Sequence, residues 1–543
     1  MWPLSRAPVR VARYETPLAF AAIAALAWLA QFHHFRDFGL YEDDYWFISE
    51  AMGQPPSYLA ARLVKAFTTL PQGRPFGFFL PDLFSFIGDK LGGLSGIYLV
   101  GFAIVVLNTF LCYQLLRTRA PLAPAAVGAA VFCLFPADTT KIFLTHDFQL
   151  QPSLTFALLS GLAYTSGRKP LAYIVGTGAL LAYENAYLAL FALPLFTVCH
   201  WNRELLKELA RHVAILSAIV IGVVILRYLV GESRATSSVG GVAAIVPPLL
   251  GSLVLGPARS LAGMFYGPFK AIPTWDVETL AAAAVAVVAF GAFFYRAPKI
   301  PTSRREPLQL VGAGAAMLVI GYALAFTHFP PNALVGRGTS VHLGATLGMA
   351  VLATGVAWLL LGARPGVAAA ALAAYVALMV GYYVTIERDF VRSWQLQRAF
   401  WRDVEACCSD LQDGTVLLYT LTSAEEPTFI FTNSWADPLI LGETYAFPRS
   451  WKTPPRLFSL TEWQNRVRLD GDHFDWSVPA ATWDEYVDVF PQNNVILLTR
   501  GSDGKLERAT GSVDVAGGVL TLKPPAAPQA WPPAQLYAPL LES

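Results

Sequence analysis

The sequence predicts a mainly α fold: a polytopic membrane helix bundle of about eleven spans, followed by a C-terminal extramembrane α/β domain. Three observations predict it. Hydrophobic residues make up 55% of the 543-residue chain and charged residues only 14%, too few to cover the surface of a soluble protein of this length. The apolar residues are gathered into blocks such as Tyr98–Leu107, Ala214–Leu226 and Ala281–Phe294, which with their flanks approach the roughly 20 residues needed to cross a bilayer. From Glu387 to Ser543 such blocks stop: Glu387–Leu411 keeps helical spacing but is charged, and short strands and turns follow.

Backbone groups in hydrocarbon must satisfy one another, and the blocks lack the alternation of a barrel, so they are read as helices. Arg6, Arg10 and Arg13 precede an apolar run from Pro17 to Phe32. No small-residue cleavage pattern follows Ala30, so the run is read as a retained first span that enters from the cytoplasm. A long loop over residues 33–91 comes next, rich in aromatics and proline. Further spans are predicted over Gly93–Leu116, Ala123–Phe135, Leu150–Thr165, Val213–Leu229, Leu280–Tyr295, Leu308–Thr327, Val341–Leu361 and Val367–Ile386. Leu171–Tyr183 and Ala186–Cys199 are read as a hairpin around Glu184, with one long helix as the alternative.

Lysine and arginine set the orientation. With the N-terminus inside, the short internal loops hold Arg117, Arg119, Arg168, Lys169, Arg203, Lys207, Arg211, Arg296, Lys299, Arg304, Arg305 and Arg364. The short external loops hold little more than Lys141 and Arg337. A single long helix over residues 171–199 would place the Arg296–Arg305 cluster outside, so the charge rule favours the hairpin. Residues 1–386 then form the membrane domain, and residues 387–543 lie outside. Within the latter, Thr415–Thr420, Asn494–Thr499 and Val519–Leu522 read as strands, Gly501 to Gly504 as a turn, and Pro524–Pro533 as extended chain.

A net charge of +1, with no basic stripe beyond the loops that orientation explains, argues against a nucleic-acid partner. The five cysteines show no metal-ligand spacing; Cys112, Cys133 and Cys199 fall in apolar blocks, and Cys407–Cys408 are adjacent. No Walker-type glycine loop is present.

The first loop contains Tyr41-Glu42-Asp43-Asp44-Tyr45-Trp46-Phe47. Three successive carboxylates repel one another, and a cation, a metal ion or a shared proton offsets such a cluster. The plain reading is a helix start, with Asp43 or Asp44 as N-cap of an amphipathic interfacial helix over Tyr45–Phe67. Capping and catalysis are compatible.

A retained first span, an acidic pair about a dozen residues beyond it and an amphipathic helix resemble the GT-C superfamily of membrane glycosyltransferases. Asp43-Asp44 matches the place of that family's first-loop acidic motif, and Gly73-Arg74-Pro75 resembles the Gly-Arg-Pro element of some bacterial members. The likeness covers roughly the first 230 residues in arrangement but only about ten residues in motif. It implies a polyprenyl-phosphate-sugar donor, a cell-envelope glycan, lipid or protein acceptor, contact with membrane lipids, and a site on the non-cytoplasmic face of a bacterial inner membrane.

The chemistry of such a transfer names candidates. An aspartate, Asp43 or Asp44, takes the proton of the acceptor hydroxyl, or the pair holds a divalent metal such as Mg or Mn. The leaving lipid phosphate needs cations, for which Arg74 and Arg337 are candidates; each also suits a lipid-headgroup anchor. His146, Asp147 and Glu184 are further substrate-binding candidates, against plain readings of a polar loop pair and a water-exposed hairpin tip. Arg227, near the outer end of its span, is read as a snorkelling side chain. All seven candidates map outside under the topology that Lys and Arg set. A transporter or lipid flippase would instead place ionisable residues at mid-membrane depth in paired broken helices, and a surface-polysaccharide polymerase or ligase would place its long external loop late in the chain.

Overall fold

In the computed structural model the chain is mainly helical, with a small C-terminal sheet region. The structure describes residues 14–197, 203–231, 242–298, 300, 304–325, 331, 334, 336–419, 437–459, 467–471, 473–478, 486–501, 505–515 and 518–542. It divides into two compact units: residues 1–35, 65–80 and 98–388 form the first, and residues 36–64, 81–97 and 389–543 the second.

Among the described residues, seven helical segments are long and apolar enough to cross a membrane: Glu15–Phe32, Pro75–Arg117 (two helices that reverse at Gly92–Gly93, where the backbone is not helical), Arg203–Leu229, Ile245–Thr274, Val277–Arg296, Arg337–Ala363 and Pro365–Cys407. This is the composition of a membrane protein. Several of the other predicted spans fall on shorter helices: Leu122–Cys133, Gln151–Thr165, Lys169–Ala182 and Arg305–Ile320. The 12 residues of Leu122–Cys133 rise only about 18 Å, well short of a hydrocarbon core.

Three local departures from the sequence reading have physical causes. The helix Val242–Ala271 was not foreseen, because Pro247, Pro248, Pro257 and Pro268 read as breakers in sequence. In an apolar setting, neighbouring helices supply the packing and satisfy the freed carbonyls. The helix Lys169–Ala182 stops at Tyr183, whose backbone is extended (φ −159°, ψ 131°). The chain then continues through short turns, Glu184–Tyr187, Leu188–Ala192 and Leu193–Thr197, so it is not one long helix; Cys199 lies outside the described residues. The predicted helix over Tyr45–Phe67 is interrupted instead: Asp44–Phe47 is one turn, Ser49–Ala51 is a 3-10 turn, and a regular helix runs only over Pro56–Thr69.

Small residues let helices of the first unit approach closely. A side chain on Gly314 would meet the backbone of Leu352 at 2.3 Å, and one on Gly348 the backbone of Leu318 at 2.4 Å. Close backbone approach of this kind is how apolar helices associate where hydrophobic driving force is weak.

The second unit holds the strands. A four-stranded sheet has the order Arg456–Ser459, Val416–Tyr419, Val495–Arg500, Leu506–Arg508; the first three run parallel and the last antiparallel. Val416–Tyr419 is buried at every position, as expected of an inner parallel strand covered on both faces. Val416, Leu418, Phe458, Phe490, Val495 and Leu497 form its core. A three-stranded antiparallel sheet (Val467–Asp470, His473–Val478, Tyr486–Pro491) and a hairpin (Ser512–Val515 with Gly518–Thr521) complete the β structure among the described residues. Cys407 and Cys408 are free thiols, so no vicinal disulfide forms, and Cys112 and Cys133 are buried thiols.

Candidate functional site

The first unit brings two of the sequence candidates, Arg74 and Glu184, together with Arg227. Arg74 forks onto Glu184: its Nε donates to Oε2 at 3.0 Å and its Nη2 to Oε1 at 2.5 Å. Arg227 donates from Nη2 to the same Oε2 at 3.1 Å. Glu184 is therefore not a water-exposed hairpin tip; its side chain is only 6% exposed, and those of Arg74 and Arg227 are 14% and 19% exposed. Arg227 does not simply snorkel. It closes a long-range ion-pair cluster.

Local structure fixes each member. Arg74 is the N-cap residue of the helix Pro75–Arg117 and follows a tight turn in which Leu70 (φ 47°), Gln72 (φ 53°) and Gly73 (φ 65°) all adopt left-handed backbone. Leucine and glutamine rarely do so, and such strain persists only where the surroundings hold it. Gly73 is required twice over: its φ is positive, and a Cβ there would lie 2.3 Å from Cγ of Arg227. The Arg74 guanidinium also lies over the ring of Tyr183, 4.4 Å from its centroid. Glu184 opens the short helix Glu184–Tyr187, where free backbone N–H groups favour a carboxylate.

Burial alone would push the Glu184 carboxyl up, but Arg74 and Arg227 outweigh it and hold it well below the usual carboxylate range. Glu184 is thus ionised, and the three side chains together carry one net positive charge. Nε of Arg227 is buried and has no hydrogen-bond partner among the described residues. Two guanidiniums that share one carboxylate suit an anion with several oxygens, such as a phosphate.

The remaining first-unit candidates lie on adjoining segments. His146 and Asp147 are buried on the short helix Leu144–Gln149, and Asp147 packs so closely on Gly101 that a Cβ there would come within 2.9 Å of its Oδ2. Arg337 opens the 3-10 helix Arg337–Ala345. Thr139, in the loop leading to His146, donates its backbone N–H to Thr339 Oγ1 at 3.0 Å. Gly344 of the same 3-10 helix sits against the backbone of Asn185, next to Glu184. Much of the run from His328 to Gly336 lies outside the described residues.

Asp43 and Asp44 belong to the second unit. Both are buried, at 5% and 0% exposure, and Glu42 before them takes left-handed backbone (φ 42°). Asp43 occupies the N-cap position of Asp44–Phe47 without a capping side-chain bond, while Asp44 Oδ2 accepts from the backbone N–H of Tyr41 at 3.1 Å. The flanking tyrosines anchor the segment: Tyr41 donates its hydroxyl to the carbonyl of Phe390 at 2.8 Å, and Tyr45 to Oε1 of Gln397 at 2.7 Å. Arg62 bonds Asp82 at 2.6 Å and Glu50 at 2.9 Å, which ties down the loop beyond.

What the sequence reading missed was Arg227 as a partner. Its signal was present, an arginine inside an apolar span, but its partners lie 43 residues away at Glu184 and across the turn at Gly73. No protein-family model matches this chain, and no curated protein or solved structure matches it.

Proposed function

We propose that this protein is a membrane glycosyltransferase that transfers a sugar from a polyprenyl-phosphate carrier to a cell-envelope acceptor on the non-cytoplasmic face of a bacterial inner membrane. The observation that carries the reading is the Arg74–Glu184–Arg227 cluster, with two guanidiniums on one carboxylate and an Arg227 Nε–H that has no hydrogen-bond partner among the described residues. An enzyme that expels a lipid phosphate needs such a cationic clamp, because charge develops on the leaving oxygen as the glycosidic bond breaks.

In the proposed reaction the acceptor hydroxyl attacks the anomeric carbon, and the bond from that carbon to the phosphate oxygen breaks as the new one forms. The phosphate leaves with the electron pair, and Arg74 and Arg227 stabilise it. The hydroxyl proton passes to a carboxylate, a role for which the sequence puts forward Asp43 or Asp44. One direct displacement inverts the anomeric configuration. A divalent metal, Mg or Mn, held by the two aspartates is the alternative use of these carboxylates. His146, Asp147 and Arg337 are proposed as further substrate contacts, and the Lys and Arg distribution supports an extracytoplasmic side for residues 387–543.

The test is twofold. Purified protein in nanodiscs should bind a polyprenyl phosphate, and R227Q should weaken that binding without unfolding the protein. Membranes supplied with labelled lipid-linked sugars should show a transfer that D43N or D44N removes. Equal binding by R227Q and undiminished transfer by both aspartate variants would overturn the reading.

A further inference from the structure

A second cluster lies at the end of the first span. His33 and His34 follow the helical segment Glu15–Phe32, with ring centroids 4.3 Å apart. Nε2 of His33 and Nε2 of His34 each lie 2.9 Å from Oε1 of Glu278. The three donor atoms all fall within 4.8 Å of one another. Donors about 2.0–2.1 Å from a tetrahedral metal ion lie about 3.4 Å apart, so only a small adjustment separates this arrangement from a coordination shell.

The surroundings hold it in place. Nδ1 of His33 lies 2.6 Å from Oε2 of Glu387, whose side chain is fully buried, and the other oxygen, Oε1, accepts the backbone N–H of His34 at 2.8 Å. A buried carboxylate within ion-pair distance of Nδ1 stands behind the ring while Nε2 faces Glu278, and outer carboxylates of this kind commonly back metal-binding histidines. Glu278 is positioned from the other side. Asp276 caps its helix by accepting from Thr279 N at 2.9 Å, and Arg388 pairs with Asp276 at 3.1 Å. Neighbouring residues Glu387 and Arg388 thus brace both halves of the cluster. His33 and His34 are 21% and 29% exposed and Glu278 is 44% exposed, so an ion and its water could reach the site from solvent.

We propose that His33, His34 and Glu278 bind a first-row divalent metal ion, with Zn as the best fit, and that Glu387 is the positioning residue behind His33. Two imidazoles and one carboxylate suit Zn, whereas Mg and Mn favour all-oxygen shells. Three protein ligands leave a coordination position for water. The site is independent of the glycosyl-transfer reading, and nothing in its argument uses Asp43 or Asp44.

The experiment takes the full-length protein in detergent, strips it with chelator, and titrates it with Zn alone and then with Co as a spectroscopic probe. The expected result is one Zn per chain and a visible Co band typical of mixed nitrogen and oxygen ligation. H34Q and E278Q should each weaken binding at least tenfold. E387Q should weaken it by about 10–100-fold and shift the Co band, a change that a purely structural residue would not produce. Glu278 is exposed, so E278Q tests the site even where a histidine variant fails to fold. Substoichiometric Zn in the native protein, or binding unchanged in both H34Q and E278Q, would overturn the proposal.

Discussion

Arg74 and Glu184 meet as a two-point fork, Nε to Oε2 at 3.0 Å and Nη2 to Oε1 at 2.5 Å, across 110 residues of sequence. Paired guanidinium–carboxylate geometry of this kind is the strong form of the charge-assisted hydrogen bond. Because the cluster is mostly buried, removing Glu184 leaves Arg74 and Arg227 without a counter-charge.

Glu184→Gln is therefore expected to cost about 3–5 kcal/mol of stability, since it leaves two guanidiniums facing each other in a poorly solvated place. The sign with pH follows from the depressed carboxyl. Its contribution is full above the unfolded glutamate value of about 4.3 and is lost only as pH falls through the much lower folded value. Thermal unfolding of native protein and variant at pH 7 measures the difference.

Gly73→Ala forces a Cβ to within 2.3 Å of Cγ of Arg227 and places alanine at φ 65°. A loss of more than about 1 kcal/mol is expected. In a double-mutant cycle, R227A should relieve the steric part, so that the double variant is less damaged than the sum of the singles. Strict additivity would show that the two residues do not touch.

The second unit supplies a pH prediction. Burial, with the Glu50 carboxylate nearby, raises the Glu443 carboxyl to about 7 despite Arg456. A raised carboxyl favours the protonated fold, so its destabilising effect is absent below about 4.3 and grows as pH rises toward 7. E443Q should thus raise stability by up to about 3 kcal/mol at pH 8 and leave it unchanged at pH 4. Melting curves across that range read it out.

The legibility of these features was uneven. Long apolar helices and the strand pair Val416–Tyr419 and Val495–Arg500 follow from composition and β-branched runs, which are local properties. Glu184 could be singled out because a carboxylate between apolar blocks is costly, and Arg74 because Gly73-Arg74-Pro75 resembles a family element and a leaving phosphate needs a cation. Their pairing could not, since it depends on the left-handed turn over Leu70, Gln72 and Gly73 and on a helix break at Tyr183. The reversal at Gly92–Gly93 is legible only in part: two adjacent glycines signal a break, yet the closeness of Gly88 to Ile97 is visible only in the fold. Helix Val242–Ala271 was hidden by its own prolines.

Asp44→Asn is the informative change in the acidic pair, because an asparagine oxygen can still accept the Tyr41 N–H that Asp44 Oδ2 holds at 3.1 Å. The fold should survive, with an unfolding midpoint within a few degrees of the native protein. Tyr45→Phe, in contrast, removes the 2.7 Å bond to Gln397 and should cost about 1 kcal/mol.

The most direct measurement is the rate of sugar transfer from a labelled polyprenyl-phosphate pool by reconstituted protein, compared among native chain, D43N, D44N and R227Q. Loss of a general base predicts at least about a hundredfold drop in one aspartate variant, and loss of a phosphate-stabilising donor about 10²–10³ in R227Q. Folded variants that all transfer at the native rate would contradict the account.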